Sequence, residues 1–265
     1  MNYVAILGSR AHLTHTRTAE DAACTGRVDM LNRLVPSEEI NIFGNRLFKR
    51  AAEHNRLNVI LWLMRRGNAC PSVGCSRAAR GGHLPLLRWL VKKEVPLHDT
   101  KVVDNAIRGG HIGILKWVLG RGPPQDLDIL CRDAAGYGHL EIIKWLQGRG
   151  GHITSIALSF AIRRGHQHVI DYMLPICPPN EDVVMTAAEI GDLKLLKRLV
   201  EHKYPVDSRA ATMAAGYGRL DVLRWLVENK YPLNTQVCRW GRHNSLVLQF
   251  LKAFQCPCGG EYHEL

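Results

Sequence analysis

One phrase governs this chain. "AARGGHLPLLRWL" (78–90) returns as "AIRGGHIGILKWV" (106–118), "AAGYGHLEIIKWL" (134–146), "AIRRGHQHVIDYM" (161–173), "AAEIGDLKLLKRL" (187–199) and "AAGYGRLDVLRWL" (214–226). Its anchoring glycines, Gly82, Gly110, Gly138, Gly165, Gly191 and Gly218, stand 28, 28, 27, 26 and 27 residues apart. Upstream, "AACTGRVDMLNRL" (22–34) keeps the pattern with Gly26, and "AAEHNRLNVILWL" (51–63) keeps it with Asn55. Downstream, "RWGRHNSLVLQFL" (239–251) keeps only its second half. Similarity at a fixed period marks a repeat array, because one such unit cannot bury its own apolar face and must stack on its neighbours.

Each unit reads as a pair of helices. The first, for example Thr100 to Arg108, ends in small residues, which lets it lie close to its neighbours, and Ala has the best helix propensity. Gly or Asn then supplies the left-handed residue that ends it. The second, for example Leu140 to Gln147, carries Leu140, Ile143, Trp145 and Leu146 on one apolar stripe near 3.6-residue periodicity. The small helix is therefore the inner one and the Trp helix the outer one. In "KYPVDS" (203–208) and "KYPLNT" (230–235) Pro stops the chain's helix. Asp207, Ser208, Asn234 and Thr235 are N-cap residues for the next one.

The text "AAxxGHLxxLKWL" resembles the ankyrin-repeat family's "AARNGHLEVVKLLL" and covers about nine tenths of the chain, most specifically residues 78 to 226. Two features depart from the family. The T-P-L-H start of the inner helix is replaced by "VGCS" (73–76), "KVVD" (101–104), "DVVM" (182–185) and "RAAT" (209–212), and the period is about 27 instead of 33. The missing residues fall where the family builds its β-hairpin finger, so plain turns are expected there. Short Trp-rich repeats of this kind are similar to those of large DNA viruses of protists. The resemblance implies an all-α helix-turn-helix solenoid: a lead at 1–18, an array of eight or nine repeats at 19–251, and a Cys-rich tail at 252–265. It also implies a non-enzymatic, monomeric scaffold that presents a concave face of inner helices to a protein partner.

Composition sets the class of partner. The chain has 35 Lys and Arg against 24 Asp and Glu, a net +11, and between residues 77 and 164 the count is 14 against 7. Such a surplus favours acidic partners. The concave face is expected to expose the two residues after each Ala pair: Arg80-Gly81, Arg108-Gly109, Gly136-Tyr137, Arg163-Arg164, Glu189-Ile190 and Gly216-Tyr217. Arg80, Arg108, Tyr137, Arg163, Arg164 and Tyr217 are accordingly the candidate partner-binding residues, because the planar Arg fork suits carboxylates and phosphates and Arg anchors many interfaces; the alternative for each Arg is a solvated helix face. A protein with an acidic segment is the first partner. Nucleic acid held through phosphates is the second, and an assembly component is the third. Apolar runs are too short for a membrane span. The scattered cysteines read as reduced thiols of a cytoplasmic or nuclear protein.

Other series have plainer readings. Trp62, Trp89, Trp117, Trp145, Tyr172, Trp225 and Phe250 sit on the apolar stripe and are expected to pack between repeats. Arg88, Lys116, Lys144, Lys197 and Arg224 just precede the aromatic position and read as a solvated face. His83, His111, His139 and His166 are about 10 Å apart by ordinary helix spacing, too far to share a metal, and are expected to cap or bridge turns. Cys256, Cys258 and His263, with Cys238 or His243, are weak zinc candidates, since C-x-C is an uncommon spacing. "CPSVGC" (70–75) lacks a second pair. The phosphate-loop, nucleophile-elbow and H-E-x-x-H motifs are absent, so neither an enzyme nor a cofactor is expected.

Overall fold

A computed structural model describes residues 17–36, 40–68, 73–121 and 125–254, and among these every regular element is a helix. The sequence's expectation of turns without β-hairpins holds over these residues. Cys70, Cys256, Cys258, His263 and most of the N-terminal lead lie outside them. The chain divides into two compact units, Met1–Gln125 and Asp126–Leu265.

Unit 1 contains α1 (17–25), α2 (Val28–Leu34), α3 (Ile40–Glu53), α4 (Leu57–Arg65), α5 (Val73–Arg80), α6 (Leu84–Lys92), α7 (Asp99–Gly109) and α8 (Ile112–Leu119). Residues 17 and 18, assigned by sequence to the lead, already belong to α1. Unit 2 contains α9 (Leu127–Tyr137), α10 (Leu140–Gln147), α11 (Ser155–Arg164), α12 (Gln167–Met173), α13 (Glu181–Ile190), α14 (Leu193–Glu201), α15 (Ser208–Gly216), α16 (Leu220–Glu228), α17 (Gln236–Gly241) and α18 (Ser245–Ala253). In each unit the odd-numbered helices stack in chain order, α3 on α5 on α7, and α9 through α17 likewise. Small residues make this possible: Ala51, Ala52, Ala78, Ala79 and Ala106 in unit 1, and Ala134, Ala135, Ala161, Ala187 and Ala188 in unit 2, have no exposed surface. From α4 onward the even-numbered helices pair each with its inner neighbour, as the order of small and Trp-bearing segments predicted.

The left-handed turn falls where expected. Gly110 has φ 76° and closes α7, the other anchoring glycines share this conformation, and Asn55 adopts it at φ 57°. A second left-handed position, twelve residues later, has no signature in the sequence. Glycine occupies it at Gly67 and Gly150, but Glu94 (φ 60°), Lys203 (φ 66°) and Lys230 (φ 58°) occupy it in other repeats. A side chain there is strained by about 1–2 kcal/mol, more than the roughly 0.5–1 kcal/mol entropy penalty of glycine. Lys203→Gly is expected to raise unfolding free energy by about 0.5–1 kcal/mol, read as a higher urea midpoint with an unchanged slope. An unchanged or lowered midpoint would refute the strain.

Several details of the units differ from expectation. In α10 the fully buried residues are Ile142, Ile143 and Leu146, while Leu140 and Trp145 are half-buried. Asp207 caps α15 through the Arg209 amide, but Ser208 is already the helix's first residue. Asn234 does not cap; it accepts from the Thr212 hydroxyl at 3.1 Å and donates to the Ser208 Oγ at 3.0 Å. Thr235 stands at the start of α17 without a side-chain capping bond. Cys24, Cys131 and Cys177 are thiols, and burial pushes Cys131 up to about 11. Cys238 is disulfide-bonded, which corrects the reading of uniformly reduced cysteines.

The cations before the aromatic position do more than meet solvent. Arg88 lies 6.0 Å from the ring centroid of Trp117, Lys144 5.6 Å from Tyr172 and Arg224 5.8 Å from Phe250. Each reaches the aromatic of the following repeat, a contact that contributes roughly 0.5–1 kcal/mol at an exposed site. At Arg88, Lys144 and Arg224 the solvated face thus also carries an inter-repeat cation–π contact.

Candidate functional site: the inner-helix face

The residue after the left-handed turn joins one repeat to the next. His83 Nε2 donates to the Glu53 carbonyl at 2.9 Å, His111 Nε2 to the Arg80 carbonyl at 2.9 Å and His166 Nε2 to the Gly136 carbonyl at 3.0 Å. A carbonyl only accepts, so Nε2 carries the proton in each. Arginine makes the same link at Arg56 to Cys24 O (2.7 Å) and at Arg219 to Glu189 O (3.0 Å). These His rings bridge turns, as the sequence suggested. Where the position is Asp192 or Asn244, the side chain caps its own helix instead. This series fixes the spacing of the inner helices and hence the register of the face they present.

On each inner helix the residues nine, five and two places before the turn fall on the side facing away from the outer helix, as i, i+4, i+7 spacing requires. In unit 1 these are Arg46, Arg50 and Glu53; Val73, Arg77 and Arg80; and Lys101, Asn105 and Arg108. Six are cations and one is a carboxylate. The same places in unit 2, on α9, α11, α13 and α15, read Ile129, Asp133 and Gly136; Ile156, Phe160 and Arg163; Asp182, Thr186 and Glu189; and Arg209, Met213 and Gly216. Here there are two cations and three carboxylates. Among these seven helices the basic surplus is thus concentrated on α3, α5 and α7.

That face contains a groove of about 230 Å³ lined by Glu20, Arg46, Lys49, Arg50, Glu53 and Arg77. Arg50 Nε donates to Glu20 at 3.0 Å, and its hydrogen bond with that carboxylate raises the guanidinium pKa further. Glu53 receives Arg77 and Arg80, each at 3.4 Å. Arg46 and Lys49 make no ion pair among the described residues. Two carboxylates among four lining cations, with Arg80 at the border, orient the guanidinium groups they bind without neutralising the groove. A concave surface with a surplus of one sign of charge concentrates counter-ions of the other.

The six residues picked out by sequence are all exposed: Arg80, Arg108, Tyr137, Arg163, Arg164 and Tyr217. Of their neighbours Gly216 is exposed as expected, whereas Gly136 is buried and Gly81, Gly109, Glu189 and Ile190 are intermediate. Arg80 and Arg108 belong to unit 1, and Tyr137, Arg163, Arg164 and Tyr217 to unit 2. Arg80 borders the groove of unit 1, whereas Arg163 in unit 2 is held by Glu189 at 2.6 Å. Sequence reading missed Arg46, Lys49, Arg50 and Arg77, because it counted only the residues adjoining the turn. Extending the helical phase backward by one and two turns would have found Arg46, Arg50 and Arg77, while Lys49 lies outside that phase. It also missed Trp240, which is 47% exposed on α17 and out of register with every other tryptophan. Among the described residues no cluster of three potential metal ligands occurs, and no helix is long and apolar enough to cross a membrane. Comparison with known proteins gives no match, neither a family model nor a curated protein.

Proposed function

We propose that the chain is an ankyrin-type, non-enzymatic binding scaffold, and that the inner-helix face of unit 1 receives an acidic segment of a protein partner. The observation that supports this reading is the groove between α1, α3 and α5, where Arg46, Lys49, Arg50, Arg77 and Arg80 surround only Glu20 and Glu53. The α3–α5 and α5–α7 stacking supports a groove running along the repeats. An extended acidic segment fits a row of cations repeated at helix spacing, roughly 10 Å. Planar Arg groups, already turned by Glu20 and Glu53, bond carboxylates in pairs with little loss of side-chain freedom.

The test uses a glutamate-rich peptide and the full chain. Arg46→Glu with Lys49→Glu reverses two cations that hold no ion pair among the described residues, and far-ultraviolet circular dichroism checks that the variant folds. Affinity should fall at least about tenfold, or about 1.4 kcal/mol, while Arg164→Glu in unit 2 changes it by less than about twofold. An equal loss from both variants would indicate non-specific charge attraction and refute the groove. Nucleic acid is the competing ligand: a single-stranded oligonucleotide bound more tightly than the peptide, with an affinity that falls steeply as salt rises and is lost in Arg46→Glu with Lys49→Glu, would replace the protein partner with a phosphate backbone.

A further inference from the structure

Five of the six tryptophans share one place in the repeat, on the outer helices: Trp62 on α4, Trp89 on α6, Trp117 on α8, Trp145 on α10 and Trp225 on α16. Trp62 is buried and the other four are half-buried. Four carry a partner over the ring: Arg66 at 4.6 Å on Trp62, Arg121 at 4.9 Å on Trp117, Arg149 at 5.3 Å on Trp145 and Tyr231 at 5.4 Å on Trp225. Trp240 differs from all five in its place and its exposure. It stands on an inner helix, is 47% exposed, and no described cation or ring lies over it.

Its seating is specific. A Cβ built on Gly216 would lie 2.8 Å from Trp240 Cε3 and 3.6 Å from Cδ2, so the indole rests against a backbone that has no side chain to hold it away. The same device occurs earlier in unit 2, where a Cβ on Gly136 would lie 3.2 Å from Phe160 Cδ1. There, however, Arg132 lies over the Phe160 ring at 5.5 Å and is itself paired with Asp133 at 2.8 Å. Phe160 is a covered platform and Trp240 an uncovered one.

Around Trp240 is a pocket of about 500 Å³ lined by Gly216, Gln236, Arg239, Trp240, Arg242 and His243. It contains two arginines and no carboxylate. Arg239 has no hydrogen-bond or ion-pair partner among the described residues. Arg242 has a single bond, from Nε to His243 Nε2 at 3.2 Å, which places the proton of neutral His243 on Nδ1. In the groove of unit 1, by contrast, carboxylates hold most of the guanidinium groups.

We propose that this pocket is a nucleotide site: a base stacks on the open face of Trp240, and its phosphate is held by Arg239 and Arg242. The argument is one of paired demands. An indole backed by glycine offers a flat π-face, which planar rings cover and carboxylates do not. Unpaired guanidinium groups beside it ask for an anion on the same ligand. A nucleoside phosphate supplies both, and 500 Å³ falls within the usual range for small-ligand sites. Gln236 and the Nδ1–H of His243 add polar atoms for a base edge or ribose. Stacking tolerates any base because each has a π-face. The ligand is either a free nucleotide or one residue of a single strand, since the recognised chemistry is the same. This site is in unit 2 and does not depend on the acidic-segment reading of unit 1.

The experiment titrates the full chain by isothermal calorimetry with AMP, adenosine, inorganic phosphate and a single-stranded hexadeoxyadenylate, in the wild type, Trp240→Ala, Trp240→Phe and the double variant Arg239→Gln, Arg242→Gln. AMP should bind more tightly than adenosine or phosphate. Trp240→Ala should weaken it by about tenfold or more, the worth of one base–aromatic stack, and Trp240→Phe by much less. The arginine pair should weaken AMP but leave adenosine unchanged. AMP and hexamer bound alike would identify the free nucleotide as the ligand; hexamer bound far more tightly would identify a strand. Far-ultraviolet circular dichroism and the urea midpoint check that the variants fold. Equal AMP binding by wild type and Trp240→Ala overturns the proposal. So does tighter binding of the glutamate-rich peptide than of any nucleotide at this pocket, judged by its loss in Trp240→Ala.

Discussion

Gly109→Ala should destabilise the protein by about 2–4 kcal/mol, while Gly113→Ala, four residues away, should stabilise it by about 0.5–1 kcal/mol. By intrinsic propensity both changes favour helix, since glycine is the poorer helix former by about 0.8–1.0 kcal/mol. Packing separates them. Gly109 ends α7, and a Cβ there would lie well inside 3 Å of the Arg80 carbonyl oxygen, and equally close to the His111 ring. That carbonyl is the acceptor of the His111 Nε2–H. The added methyl therefore pushes on backbone, which yields little, and on the hydrogen bond joining the two repeats. Overpacking alone costs typically 1–3 kcal/mol, and weakening the link adds to it. Gly113 is on exposed outer helix α8 with nothing within 4 Å of its would-be Cβ. Urea midpoints moving in opposite directions would support the close approach of α5 and α7. Midpoints moving together would mean that propensity rules both sites and that the inner helices are less tightly set.

The same carbonyl explains what was and was not legible in the sequence. The anchoring glycines, the buried Ala pairs and the inner–outer order follow from patterns that repeat along the chain, so six copies reinforce one inference. The histidine was visible as a recurring letter, but its acceptor is a backbone atom about thirty residues earlier, which no side-chain pattern marks. Interchange of His with Arg56 and Arg219 was the available hint: both are long donors, and the position requires donation. Left-handed Glu94, Lys203 and Lys230 were hidden because nothing in a lysine or glutamate announces positive φ. For the binding face the failure was one of phase. Residues beside the turn were counted, whereas most of the cations of unit 1 lie one and two helical turns earlier. Trp240 was visible throughout as the tryptophan that misses the outer-helix position.

Tyr204→Phe should lower stability by about 1–3 kcal/mol at neutral pH and should also make the protein more tolerant of alkali relative to its own neutral value. Tyr204 follows left-handed Lys203, and only 3% of its surface is exposed. Its hydroxyl donates to the Leu174 carbonyl at 3.2 Å and the Cys177 carbonyl at 3.1 Å, both in the segment after α12. The phenylalanine variant keeps the ring but leaves two carbonyls short of a donor in a buried place, which costs about 1–3 kcal/mol. Burial is the main cause that raises the Tyr204 pKa above its ordinary 10, with the Cys177 thiol adding to it. The folded state therefore retains this proton at a pH where the unfolded chain has lost it. Stability from the neutral hydroxyl is complete below about pH 10 and declines as pH rises through and beyond that value, by up to about 1.4 kcal/mol per pH unit for one proton. Cys131, pushed up to about 11 from 9.0 by burial, adds a decline of the same sign beginning near pH 9. Urea midpoints at pH 7, 9, 10 and 11 should thus fall more steeply above pH 10 in the wild type than in Tyr204→Phe, and Tyr204→Ala should unfold at the lowest urea at pH 7 by loss of the packed ring as well. Parallel pH curves for the wild type and Tyr204→Phe would show that the hydroxyl meets water in the folded state, and the link between this loop and the one before it would have to rest on the ring alone.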